Sequence, residues 1–165
     1  MYSYEAVAFP LKQRASRRRF VAMDIENING GAVSCQCDAD SAWSEVAAAI
    51  DLTPGEQVVL GVGPSSLLAA GTSHPEARVV MGRGLSGADN ALIEVLDEEN
   101  LAARFDEIVI VSGDGIFAAV AARLAFQGAV VTIVAREGHL SKRLRFAAGK
   151  VVIIPDHKPQ HGMVA

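Results

Sequence analysis

Residues 107–115 read EIVIVSGDG, and this run decides the fold. From Ile108 to Val111 the chain is β-branched without a polar break, the pattern of a strand covered on both faces. Ser112, Gly113 and Asp114 then end it, as turn residues do. Such a strand needs helices on either side, and its flanks supply them. Upstream, Ala88 to Leu101 carries Leu92, Val95 and Leu96 at helical spacing. Downstream, Phe117 to Gln127 reads as a helix that stops at Gly128.

Further out the alternation repeats. FVAMD (Phe20 to Asp24), Gln57 to Gly63, Ala77 to Met81, AVVTIVA (Ala129 to Ala135) and VVII (Val151 to Ile154) read as strands. Between them lie a helix over Asp38 to Ile50, with Trp43, Val46, Ala47 and Ile50 at helical spacing, a short helix from Ser65 to Ala70, and one from Leu140 to Ala148. Asp38, Asp40 and Ser41 are the N-cap candidates of the first of these. The segment between Asp24 and Asp38, rich in Gly, Asn and Cys, reads as loop. Apolar strands that alternate with helices specify an α/β fold, a three-layer α/β/α sandwich with a mainly parallel central sheet of Rossmann-like topology. It is expected to occupy residues 20–155, after an N-terminal basic arm (1–19) and before a flexible C-terminal tail (156–165).

A chain of 165 residues holds one ordinary core. Half of the residues are hydrophobic, yet no run approaches the roughly 20 that a spanning helix needs, so no membrane partner is expected. Arg17, Arg18 and Arg19 lead into a short apolar run that soon meets Asp24 and Glu26, which is not a signal peptide and points to a cytoplasmic protein. Cys35 and Cys37, one residue apart, are expected to stay unbridged in a reducing compartment. The formal net charge is -4, but Lys12, Arg14 and Arg17 to Arg19 gather before the first strand, and Arg136, Lys142, Arg143 and Arg145 near the last helix.

In doubly wound sheets, ligands bind beyond the carboxyl ends of the strands. Asp24 ends the first strand, Asp114 follows the fourth, and Asp89 opens the helix after the glycine-rich MGRGLSGA, so all three belong at that edge. Glu26 and Asn27 lie on the same rim. Close carboxylates repel unless a cation compensates, and hard oxygen donors select Mg²⁺ or Mn²⁺. Read singly, the same acids are ordinary turn and helix-start residues.

MDIEN (23–27), GADNALIEVL (87–96), SGDGIF (112–117) and GAVVTIVA (128–135), with Ser141 and Leu144 before VVII, resemble the NYN domain family of the PIN-like (PIN domain) nuclease superfamily. The resemblance runs from about Phe20 to Ile154 and rests on the order of the segments. It implies a metal-dependent ribonuclease, an endoribonuclease or RNA-processing enzyme, in which Asp24, Asp89 and Asp114 hold the ion. It also implies that Asn27 acts as their polar partner, while Glu26 offers a further oxygen. Two positions depart from the family pattern. Ile116 stands where many relatives carry a second acid after SGD, and the middle helix lacks an Asp about two turns in, its nearest acids being Glu94 and Asp97. A non-cleaving, RNA-binding or partner-recruiting domain is therefore the alternative.

An RNA substrate requires cations, and Arg83, Arg136, His139, Lys142 and Arg143 have addresses at the acidic edge. Phe20, Phe105, Phe117 and Phe126 read as core, which leaves few rings for base stacking. His157 and His161 have i, i+4 spacing for a metal but flank Pro159. GVGPSS (61–66) invites a phosphate-cradling reading, although it is no complete G-x-G-x-x-G. An exposed apolar helix face would also allow a homodimer.

Overall fold

The computed structural model describes residues 18–156. Most of the basic arm and of the tail, with Lys12, Arg14, Arg17, His157 and His161, lies outside them. In chain order the elements are β1 (Arg19–Asp24), α1 (Ile25–Asn29), α2 (Gln36–Ile50), β2 (Gln57–Val62), α3 (Leu67–Ser73), β3 (Arg78–Met81) and α4 (Gly87–Glu98). Then come α5 (Leu101–Arg104), β4 (Glu107–Val111), a 3-10 turn (Gly115–Phe117), α6 (Ala118–Phe126), β5 (Val130–Arg136), α7 (Lys142–Ala147) and β6 (Lys150–Ile154).

The six strands form one sheet in the order β3-β2-β1-β4-β5-β6. Every pairing is parallel, and Met23 of β1 sits opposite Leu60 of β2 and Val111 of β4. Side-chain alternation divides the core in two. Val21, Met23, Val109 and Val111 pack with Ile25, Ile28, Val46 and Ala70 from α1 to α3. Phe20, Ala22, Ile108 and Ile110 face the other way and pack with Leu92, Leu96, Leu101, Val120, Leu124 and Leu144 from α4 to α7. This is the expected three-layer sandwich. The chain runs outward in one direction from β1 and in the other from β4, so a crevice opens between their carboxyl ends.

Several local expectations are corrected. The residues after Asp24 form a one-turn helix rather than a loop, because the Asp24 carboxylate accepts from the Asn27 amide and caps it. The cap of α2 is Cys35, not Asp38, Asp40 or Ser41. Cys35 and Cys37 are joined in a disulfide: the cap residue is extended and the next two enter the helix, a reversal that brings the Cα atoms to 5.3 Å. The long middle helix ends at Glu98, where Asn100 turns left-handed (φ 50°) and α5 begins.

Phe126, at the last turn of α6, is exposed rather than core. Arg19, placed in the basic arm, is instead bound within the fold. Its guanidinium binds the Glu56 carboxylate at 2.7 Å and the carbonyl oxygens of Ile50 and Asp51, closing the far end of β1 against the turn before β2. Among the described residues, no helix is long and apolar enough to cross a membrane.

Candidate metal centre

Asp24, Glu26, Asp89 and Asp114 line one cleft of about 220 Å³ at the β1–β4 crevice, together with Asn27, Gly63, Ser86 and Gly87. Each acid is delivered by a different device. Asp24 is the last residue of the buried strand β1, where its Oδ1 accepts from the Asn27 amide at 3.1 Å and its Oδ2 from the Ser112 hydroxyl at 3.4 Å. Asp114 follows β4, its Oδ1 accepting from the Ile116 amide at 3.0 Å. Its own amide donates to Ser112 Oγ at 3.2 Å. Ser112 is wholly buried and thus braces both acids.

Asp89 depends on the glycine-rich loop. Gly82 and Gly87 approach so closely that a Cβ on Gly82 would meet the Gly87 carbonyl oxygen at 1.8 Å. Only two glycines permit this pinch, which turns the chain from β3 into α4 and sets Asp89 in the first turn of the helix. Ser86 hydrogen-bonds the Asp89 carboxylate.

Glu26 is held by β2 and the turn after it. Its Oε1 accepts from the Gly63 amide at 2.9 Å and from the buried Ser66 hydroxyl at 2.5 Å, while Ser66 Oγ accepts from the Val33 amide at 2.9 Å. GVGPSS, singled out as a phosphate cradle, therefore grips a carboxylate of the chain itself. Asn27 ties the two central strands together, its side-chain oxygen accepting from the Gly113 amide at 3.1 Å.

The electrostatics follow from this crowding. Asp24 is pushed up from 3.8 to about 7, first by burial and then by Asp89 and Glu26, against the lowering pull of the Asn27 amide. Asp89 is also raised, again first by burial and further by Asp114 and Glu26, although the hydrogen bonds from Asp24 and Ser86 oppose the shift. Asp24 and Asp89 are hydrogen-bonded to each other, and burial with the surrounding acids raises both carboxyls above the usual range. Four carboxylates short of positive charge are the residues here that could hold a hard divalent cation, in a cleft that exceeds several water volumes of about 30 Å³ each. The ligand atoms of Cys35, Cys37 and Asp38 lie within 4.8 Å of one another, as those of no three of the crevice acids do, but the two sulfurs are bonded to each other and offer no thiolate.

A second, larger cleft of about 880 Å³ adjoins the first and shares Asn27 and Asp114 with it. Gly113, Gly115, Ile116, His139, Ser141 and Arg143 complete much of its wall. The β5–α7 loop lies against the β4 end there, with the Ser141 amide donating to the Gly113 carbonyl at 2.9 Å. His139 and Arg143 thus stand beside the acids. Arg83, on the loop after β3, and Lys142, the first residue of α7, are exposed, and no carboxylate among the described residues pairs with Arg83, Lys142 or Arg143.

Arg136 corrects the expectation of an RNA contact. Its guanidinium donates to the Ile28 carbonyl at 2.6 Å and the Pro155 carbonyl at 3.1 Å, and pairs with Glu45 at 2.9 Å. It is a brace between α1, α2 and the end of β6. Glu94 and Asp97 do not reach the crevice: Asp97 pairs with Arg123, and Glu94 lines a separate cleft with Val80 and Met81. Sequence reasoning overlooked Ser112, Ser86 and Ser66. The signal for Ser112 was its place in SGDG, immediately beside the acid.

The NYN domain family model matches residues 74–155, which span β3 to β6 with Asp89 and Asp114. The chain belongs to the NYN family. NYN domains are PIN-like nucleases, generally metal-dependent, and the pairing of β1 between β2 and β4 brings Asp24, Glu26 and Asn27 from outside the matched segment to the same edge. A solved structure of a protein of unknown function from Vibrio parahaemolyticus is similar in fold. It is 16% identical, with a TM-score of 0.59 over 87% of this chain and 97% of that one. No curated protein matches the sequence.

Proposed function

We propose that this NYN chain is a metal-dependent ribonuclease that hydrolyses RNA phosphodiesters at the β1–β4 crevice. In this reading Asp24, Asp89 and Asp114 hold Mg²⁺ or Mn²⁺, with Glu26 Oε2 as a further donor. The observation that carries it is the convergence of Asp24, Glu26, Asp89 and Asp114 on one cleft, where burial and mutual repulsion raise Asp24 and Asp89 above the usual carboxylate range. A bound divalent ion supplies the missing positive charge, lowers the pKa of a bound water and offsets charge that develops on the phosphate. The chain does the rest. Ser112 and the Asn27 amide fix Asp24, Ser86 fixes Asp89, and the Asn27 side chain holds the β4 turn that carries Asp114. His139 and Arg143 in the adjoining cleft, with Lys142 and Arg83 at the rims, take the phosphates flanking the scissile bond.

The test is cleavage of a labelled single-stranded RNA with Mg²⁺ or Mn²⁺ by the native chain, Asp24→Asn and Asp114→Asn. A loss of at least about 100-fold is expected in each variant, the scale on which metal sites respond to damage. Unchanged cleavage in both overturns the reading.

A second reading, an RNA-binding domain with weak or no turnover, draws on Ile116 and on the engagement of Asp97 with Arg123. Fewer carboxylates mean weaker cation binding and a single ion. Retention of RNA without turnover under saturating Mn²⁺ would favour it over the first.

A further inference from the structure

The Cys35–Cys37 disulfide closes a loop with one residue between the sulfurs. So short a loop removes little entropy from the unfolded chain, which makes the bond a poor structural staple. Its surroundings suit chemistry better. Cys37 is exposed and Cys35 half-buried, so an attacking group reaches the Cys37 sulfur first. Cys35 caps the 15-residue helix α2, and its Sγ accepts from the Asp38 amide at 3.3 Å. The cap amide and the partial positive charge of the helix start both favour a thiolate at Cys35. The Asp38 carboxylate opposes this, but its Oδ2 is drawn to the Ser34 amide at 3.0 Å.

We infer that Cys35 and Cys37 form a reversible thiol–disulfide exchange site, whose reaction partner is a low-molecular-weight thiol or the corresponding disulfide. In the reductive direction, the partner thiolate forms a bond to Cys37 Sγ. The Cys35–Cys37 bond breaks, and its electron pair leaves on Cys35 Sγ, the sulfur that the helix start stabilises. A second partner thiolate then attacks the partner's own sulfur in the mixed disulfide, releasing the small disulfide and the Cys37 thiolate. Two partner thiols are oxidised and the protein disulfide is reduced, while the small disulfide drives the reverse course. This chemistry stands apart from the nuclease reading and needs neither the acids nor RNA.

The experiment equilibrates the full chain in buffers from fully reduced to fully oxidised glutathione, traps free thiols with an alkylating agent and reads the mass. Both cysteines are expected to be tagged at the reduced end and neither at the oxidised end, with full reversal on changing buffer. In Cys37→Ser, where Ser cannot bridge, Cys35 is expected to show thiolate absorbance at a pH below the usual cysteine value of about 8.5. A chain that stays oxidised in reduced glutathione, or stays reduced in oxidised glutathione, overturns the inference, as does an ordinary or raised thiol pKa at Cys35.

Discussion

The carboxyl of Asp24, at the end of β1, and that of Asp89, in the first turn of α4, are hydrogen-bonded to each other. Burial and the neighbouring acids hold the Asp24 proton until about pH 7, whereas the unfolded chain releases it near 3.8. Between these values the folded state binds more protons, so the contribution of Asp24 is fully present below the lower one and lost as pH rises through the upper one. The melting temperature of the metal-free chain is therefore expected to fall across that window, and Asp24→Asn to flatten the fall. Scanning calorimetry over a pH series checks this, and equal slopes in the two chains would assign the titration elsewhere.

Ile116 borders the larger cleft two residues after Asp114, with its backbone amide already bonded to the Asp114 carboxylate. An acid at this position adds a hard oxygen and a negative charge to a cluster that lacks a cation. Ile116→Asp is expected to tighten Mn²⁺ binding by about 10-fold, some 1.4 kcal/mol, and to raise RNA cleavage with it. Metal-free stability should fall slightly through repulsion. Titration calorimetry with Mn²⁺ decides the matter, and an unchanged affinity would mean that the cluster does not gain from a charge at this position.

The parallel sheet was legible because EIVIVS and AVVTIVA are apolar without interruption, and burial on both faces leaves no other use for such runs. The addresses of Asp24, Asp89 and Asp114 followed, since chain direction alone sends them to one edge. What the sequence hid depends on single long-range hydrogen bonds. Arg136 and Arg143 lie on either side of one loop, and nothing local tells that Ile28, Glu45 and Pro155 surround the first while the second borders an open cleft. The five-residue α1 has too few residues for a visible period and owes its form to one cap from Asp24. Cys35 and Cys37 were read by compartment, whereas the helix start decides their distance.

Ser66 is wholly buried, accepting from the Val33 amide and donating to Glu26 Oε1. Ser66→Ala would leave the Val33 amide without its acceptor in the core and remove one of the two donors that fix Glu26. The expected cost is about 1–3 kcal/mol, read as a lower urea midpoint with an unchanged slope. If Glu26 contributes to cation binding, the variant should also bind Mn²⁺ more weakly at equal folded fraction. A midpoint within error of the native chain would show that water or a shifted backbone replaces the hydroxyl.

Arg136 and Arg143 separate fold from substrate binding. The Arg136 guanidinium joins the Ile28 and Pro155 carbonyls to the Glu45 carboxylate, and its side chain is only 12% exposed. Arg136→Ala is expected to cost about 3 kcal/mol of stability, because it removes the ion pair with Glu45 and the donor of the part-buried Ile28 carbonyl. Arg143 lines the open cleft and pairs with no carboxylate among the described residues. Arg143→Ala should leave the melting temperature unchanged and weaken RNA binding. If it contacts one phosphate, the salt dependence of single-strand affinity falls by about 0.7 in the slope of log K against log salt. Binding isotherms at several salt concentrations give that slope, and a native slope in Arg143→Ala would remove this side chain from the RNA path.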